Sequence, residues 1–261
     1  MNDYKVALIT GASSGIGEAY ASALATRGLD LILVARSEDR LRALAKQLAE
    51  LHSRRVEVVA ADLTHAGAAQ KVHMAAEALQ MPVDLLINNA GFGTAGSFHK
   101  LDAGRERDEI LLNAAAVVDM THAFLPGMLE RGRGGVINIA SMAAFQPLPF
   151  MAVYAATKAF VFAFTEGLRG ELRGKGVKTL CVCPGPVDTP FFEASGNDKL
   201  RDTVPGGTMQ TVDDVVGESL AAFAAGKAVV VPGTLNKLLS LTSRMTPRSL
   251  LTAVMGQAMR R

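Results

Sequence analysis

Seven short runs of β-branched and leucine-rich residues recur along this chain, and a longer stretch of helical spacing follows almost every one. The runs are "VALIT" (6–10), "DLILVA" (30–35), "VEVVAA" (56–61), "VDLLIN" (83–88), "GVINIA" (135–140), "KTLCVC" (178–183) and "AVVVPG" (228–233). Most are apolar at consecutive positions rather than alternate ones. Strands buried on both faces read this way, as a parallel sheet covered by helices requires. Segments 15–28, 38–52, 66–81, 105–131, 151–174 and 212–226 have helical length and periodicity. The alternation predicts an α/β fold, a doubly wound parallel sheet of about seven strands with helices on both faces, in a single domain.

Composition agrees with that expectation. The chain has 261 residues, 49% hydrophobic and 20% charged, enough for one large core. A formal net charge of +2 gives no general affinity for polyanions, so nucleic acid is not an expected partner. The two cysteines, Cys181 and Cys183, would share a strand face without comfortable disulfide geometry, and read as small core hydrophobes in a reducing compartment. No basic n-region precedes an apolar run, and no uncharged apolar segment reaches about 18 residues, so a cytoplasmic protein is expected. The histidines, at positions 52, 65, 73, 99 and 122, form no metal-ligand pattern, and no metal is expected. The longest irregular segment runs from Pro184 to Thr211, the kind of loop from which lids are built.

Between the first run and the first helix stands "TGASSGIG", residues 10–17. Glycines there permit a tight turn and let backbone approach a pyrophosphate, while the helix N-terminus adds free N–H groups and a favourable dipole. The spacing is GxxxGxG. The second run ends "LVARSEDR", with Arg36 where a dinucleotide site that selects NAD usually carries an acidic residue. A guanidinium suits a 2′-phosphate, so NADP(H) is expected in preference to NAD(H), although Glu38 and Asp39 stand close by.

Further along come "ADL" (61–63), "NNAG" (88–91), Asn113 in "LLNAAAV", Ser141 in "INIAS", "YAATK" (154–158) and "PGPVDT" (184–189). In this order the series resembles the short-chain dehydrogenase/reductase family over about residues 4 to 233. The resemblance implies a Rossmann-type fold and a nicotinamide cofactor. It implies that Gly11, Ser13, Ser14, Gly15, Ile16 and Gly17 cradle the cofactor, with Arg36 at its phosphate end. Asp62 and Leu63 would meet the adenine, and Asn89, Ala90 and Gly91 the ribose. Pro184, Gly185, Val187 and Thr189 would meet the nicotinamide end. Catalysis is assigned to Asn113, Ser141, Tyr154 and Lys158, with Asn113 holding a relay water and Lys158 also binding the nicotinamide ribose. The resemblance further implies a homodimer or homotetramer that uses the helix around 151–165.

Tyr154 and Lys158 lie one helical turn apart on one face. A free phenol has a pKa of about 10, and a neighbouring ammonium is expected to lower it towards a working range. Alone, the pair reads equally well as a Tyr and a Lys snorkelling at an apolar surface. Ser141 and the glycine loop tip the balance to hydride transfer between a nicotinamide and a carbonyl or secondary alcohol. Phe92, Met142, Phe145, Gln146, Leu148, Phe191 and Phe192 follow the fourth, fifth and sixth runs and are expected to line an apolar substrate site.

Residues 1–233 are therefore expected to form the dinucleotide-binding catalytic unit, and 234–261 a basic amphipathic helical tail acting as lid or interface. That tail contains no acidic residue. Its second helix is expected to have Thr246 as N-cap and Pro247 as first residue, with Leu250, Leu251, Val254 and Met255 on one face. Contact with an anionic membrane is a secondary expectation. Two other functions fit the residues less well. A non-catalytic nucleotide-binding regulator would typically have lost a catalytic residue, and a nucleotide-sugar epimerase would carry a larger C-terminal domain.

Overall fold

The computed structural model describes residues 4–197 and 200–259. Its strands are β1 (Val6–Thr10), β2 (Asp30–Ala35), β3 (Val56–Ala60), β4 (Leu85–Asn88), β5 (Gly134–Ile139), β6 (Val177–Val182) and β7 (Val229–Val230). They form one parallel sheet in the order β3-β2-β1-β4-β5-β6-β7. Every residue of β1, β4 and β5 is buried, which is why these segments read as continuous apolar runs. Burying one such leucine, Leu8 for example, contributes about 1.5–3 kcal/mol.

The helices are α1 (Gly15–Thr26), α2 (Glu38–His52), α3 (Ala68–Ala78), α4 (Ala103–Ile110), α5 (Ala116–Glu130), α6 (Ala152–Glu171), α7 (Phe191–Ala194), α8 (Val212–Ala224), α9 (Thr234–Met245) and α10 (Arg248–Ala258). On one face of the sheet, α1, α2 and α8 close a core around Tyr20, Leu24, Leu41, Leu48 and Phe223. On the other, α3, α5 and α6 close a second around Val72, Met120, Phe124, Met128 and Leu168. After β3 the chain crosses to the far side of β1 to lay down β4. The strand order reverses there, and a crevice opens at the strand C-termini.

Three local expectations are corrected, and one is refined. The seventh strand is two residues long, because Pro232 has no N–H to continue the ladder and Gly233 turns at φ 80° into α9. The segment 105–131 is helical as expected, α4 running into α5 through a π-turn at Leu111–Ala115. The segment 184–211 is not wholly irregular, since it contains α7 and a 3₁₀ turn at Leu200–Thr203. Thr246 does not cap α10. It ends α9, its hydroxyl donating to the Thr242 carbonyl at 2.8 Å, and Pro247 takes the N-cap position. Arg260 and Arg261 of the basic tail lie outside the described residues.

The continuous helix from 103 to 130 contains an 18-residue window of mean hydropathy 1.3, apolar enough to cross a bilayer by length and composition. Here Met120, Phe124 and Met128 from that helix are buried against the sheet.

Candidate active site

Gly11 and Gly15 have φ of 65° and 58°, the left-handed region that favours glycine. Gly17 serves the loop differently. A Cβ there would lie 2.2 Å from the Gly11 carbonyl oxygen, so its role is close packing beneath the turn, and it does not line the cavity. The first turn of α1 has no side-chain cap from Ser14, which leaves its N–H groups available. Neighbouring strands fix the loop. Thr10 Oγ1 accepts from the N–H groups of Asn89 (2.9 Å) and Ala90 (3.0 Å), and Asn89 Nδ2 donates to the carbonyls of Thr10 (3.0 Å) and Gly11 (3.2 Å).

This cradle is one end of a cavity of about 770 Å³. Gly11, Ser13, Ser14, Gly15, Ile16, Arg36, Asp62, Leu63, Asn89, Ala90 and Gly91 line it, as do Pro184, Gly185, Val187 and Thr189. Arg36 is 72% exposed, with Nη1 3.9 Å from Asp62 Oδ2. Partial burial pushes the Asp62 carboxyl up, but the Thr64 hydrogen bonds and the Arg36 charge outweigh it and hold the group below the usual range. Ser37 and Arg40 line the same end. Sequence reasoning passed over them, although Arg36 and Arg40 are spaced like neighbours at the start of a helix. A backbone cradle, an open helix N-terminus and two guanidinium groups fit the phosphates of a dinucleotide.

At the other end Ser141, Tyr154 and Lys158 line the cavity together. Ser141 terminates β5, and its Oγ accepts from Ala143 N at 3.1 Å. It also hydrogen-bonds the Tyr154 phenol. Lys158 is buried, with Nζ donating to the Ile139 carbonyl at 2.9 Å and lying 5.8 Å from the Tyr154 ring centroid. Burial lowers the Lys158 pKa to about 8. Burial likewise raises Tyr154 to about 12, against the lowering effect of the Ser141 hydrogen bond, and Glu109 adds to the rise. The expectation that Lys158 draws the phenol down is therefore corrected. The ammonium is directed at a backbone carbonyl, and desolvation governs the phenol.

Asn113 sits in the π-turn, buried behind the cavity wall. Its Oδ1 accepts from Phe92 N (3.1 Å), and its Nδ2 donates to the Phe92 carbonyl (2.8 Å) and to Thr157 Oγ1 (3.2 Å). One turn earlier lies Glu109, fully buried, which the sequence reading did not single out. Its Oε2 accepts from Thr94 N (2.9 Å) and Thr94 Oγ1 (2.7 Å), while Oε1 has no hydrogen-bond partner among the described residues. Burial raises the Glu109 pKa, and the nearby Glu106 charge adds to the rise. The i, i+4 spacing to Asn113 was the available signal.

Phe92, Met142, Gln146, Leu148, Phe191 and Phe192 line the remaining wall, with Tyr154 and Phe191 rings 5.3 Å apart. Phe145 is corrected. It is outside the cavity, edge-on to Phe162 at 5.1 Å with the Arg244 guanidinium 4.1 Å above its ring. Leu251, Met255 and Met259 of the tail complete the apolar lining.

Comparison with known proteins agrees with this geometry. The profile of the short chain dehydrogenase family matches residues 5–200. An uncharacterized oxidoreductase of Staphylococcus epidermidis is 37% identical over 191 residues, 73% of this chain and 81% of that protein. A very-long-chain 3-oxoacyl-CoA reductase of Bos taurus is 35% identical over 187 residues, 70% of this chain but 59% of that longer protein. Among solved structures, a short-chain dehydrogenase from Sphingobium yanoikuyae in complex with NADPH superposes with a TM-score of 0.82 at 34% identity, covering 92% of this chain and 93% of that one. Motif order, sheet topology and the shared cavity agree with these matches: the chain belongs to the short-chain dehydrogenase family of oxidoreductases.

Proposed function

We propose that this protein is an NADP(H)-dependent reductase of apolar carbonyl compounds, acting reversibly on the corresponding secondary alcohols. The observation that carries the reading is the meeting of Ser141, Tyr154 and Lys158 in one cavity whose far end is the glycine cradle. Arg36, Ser37 and Arg40 support the choice of NADP(H), since two guanidinium groups suit a 2′-phosphate. When bound, the cofactor supplies a hydride to the carbonyl carbon.

The chain's own residues do the rest. Tyr154 gives its phenolic proton to the carbonyl oxygen as negative charge develops there. Ser141 Oγ, close to the phenol, donates to the same oxygen and stabilises that charge. Lys158, buried beside them and anchored to the Ile139 carbonyl, would hold the nicotinamide ribose through Nζ. Asn113 fixes the Gly91–Phe92 wall, and its Oδ1 has acceptor capacity left for a relay water. The phenylalanine and methionine wall excludes water and accepts an apolar substrate. The aromatic outer face of α6, where exposed Phe160 stacks on Phe164 at 6.2 Å, supports a homodimer or homotetramer.

The test is NADPH and NADH oxidation against a panel of acyl, steroid, quinone and small-aldehyde carbonyls, beside a Tyr154→Phe variant. The expected result is turnover that prefers NADPH and falls about 10²–10⁴-fold in the variant while NADPH binding persists. A variant as active as the natural chain would overturn the role of Tyr154. Binding of NADPH without turnover of any carbonyl would favour a regulatory nucleotide-binding protein.

A further inference from the structure

Helix α9 buries a polar stripe and leaves most of its large apolar side chains exposed. A surface helix normally turns its apolar stripe to the core and its polar stripe to water. In α9 the buried residues are Asn236 and Ser240, at 2% and 3% exposure, with Leu239 and Thr242 beside them at the cavity edge. Leu238, Leu241 and Met245 lie outward, Met245 at 87%. Polar contacts hold this orientation. Asn236 Nδ2 donates to the Thr208 carbonyl at 3.0 Å, and a Cβ on Gly185 would approach that Nδ2 to 2.5 Å. Arg244, at the end of the helix, is clamped over the Phe145 ring. Helix α10 is apolar on two sides: Leu251, Met255 and Met259 line the cavity, while Leu250 and Val254 face outward.

We infer that α9 and α10 dock this protein onto an anionic membrane surface, with the leucine face in the lipid headgroup region. The charge of the segment selects this occupant. After Glu218 the sequence has no acidic residue, but it has Lys227, Lys237, Arg244, Arg248, Arg260 and Arg261. Exposed Lys237 and Arg248 accompany the leucine face on the same two helices. An apolar face bordered by cations matches the headgroups of anionic lipid and the acyl boundary beneath them. A second copy of this chain would bring the same cations against each other, with no carboxylate in either segment to offset them. At 12 and 11 residues neither helix can span a bilayer, so both lie on its surface. The roof of the apolar cavity then rests against the lipid, and with the reductase reading this makes membrane-dissolved carbonyl compounds the substrates.

The experiment is co-sedimentation of the full chain with vesicles of phosphatidylcholine alone and of phosphatidylcholine mixed with phosphatidylglycerol. It uses neither cofactor nor carbonyl, so its outcome does not depend on the reductase reading. Binding to the mixed vesicles, weakened by salt and about tenfold or more weaker on phosphatidylcholine alone, is expected. A Leu238→Ser/Leu241→Ser/Met245→Ser variant should lose about a hundredfold in vesicle affinity. Its melting temperature and its molar mass by light scattering should not change, because the replaced side chains point outward. A Lys237→Glu/Arg248→Glu variant should lose the preference for anionic lipid and keep the leucine face. Failure of the natural chain to bind mixed vesicles overturns the inference, as does equal binding by the triple variant. An oligomer that dissociates in the triple variant, from a chain that ignores vesicles, would assign the face to a second subunit instead.

Discussion

Tyr154 holds its proton far above neutrality because burial disfavours the phenolate, and the Glu109 charge adds to the effect. A protonated phenol is the form that reduction needs, whereas oxidation of an alcohol needs the phenolate. The oxidative rate is therefore expected to climb with pH from neutral towards 10, by up to about tenfold per unit while the phenolate remains the minor species. A pH profile of alcohol oxidation checks this, and a flat profile over that range would show that the phenol titrates elsewhere. Glu109 gives a second titration, in stability. Its pKa is raised in the fold, so the folded state holds the proton more tightly than the unfolded chain. Its contribution is fully present below the ordinary carboxylate pKa and is lost as pH rises through the raised value. Thermal melts of Glu109→Gln should thus gain on the natural chain as pH rises through that window and then level off; a constant difference would refute the assignment. The spacing of Tyr154 and Lys158 was legible in the sequence because a helix puts i and i+4 on one face. Where Lys158 points was not, because the Ile139 carbonyl that holds it comes from β5, nineteen residues earlier. Glu109 was hidden for a similar reason, since "RERDEI" reads as a solvated charged face until Thr94 is folded over it.

At the scale of elements, β1, β4 and β5 could be read from the chain because burial on both faces demands consecutive apolar residues. The glycine loop could be read because its backbone angles exclude most side chains. Gly17→Ala is expected to force the turn apart, since the new methyl would sit 2.2 Å from a carbonyl that has no room to move. A loss of about 1–3 kcal/mol in denaturant unfolding and a marked loss of NADPH affinity should follow. Unchanged binding by calorimetry would mean that the cradle tolerates a wider turn. Element ends were less legible. β7 is cut short by Pro232 and the turn at Gly233, and the π-turn that carries Asn113 interrupts a stretch whose periodicity gives no sign of it. Thr246 and Pro247 satisfied the rules for a helix start, but the end of α9 claimed Thr246 first.

Across the whole molecule, distant segments are joined by polar contacts inside apolar layers. Tyr20 on α1 hydrogen-bonds Ser219 on α8, although 199 residues separate them. On the opposite face Asn88 Nδ2 donates to Asn138 Oδ1 at 2.9 Å, and Asn138 Nδ2 to Thr165 Oγ1 at 2.9 Å, linking β4, β5 and α6 beneath the active site. Tyr20→Phe should cost only about 1 kcal/mol in denaturant unfolding, because Ser219 Oγ retains the Val216 carbonyl at 2.8 Å. A much larger loss would mean that the hydroxyl pair holds α8 in place. The chain's own order of residues determined the class of fold, the site of the phosphate cradle and the residues of the reactive end. Each depends on local rules: periodicity, glycine backbone angles and helical spacing. Tertiary structure alone decided the proton affinity of Tyr154, the loss of Phe145 from the cavity and the outward turn of Leu238 and Leu241. These follow from burial and from partners far away in sequence, and no local pattern encodes either.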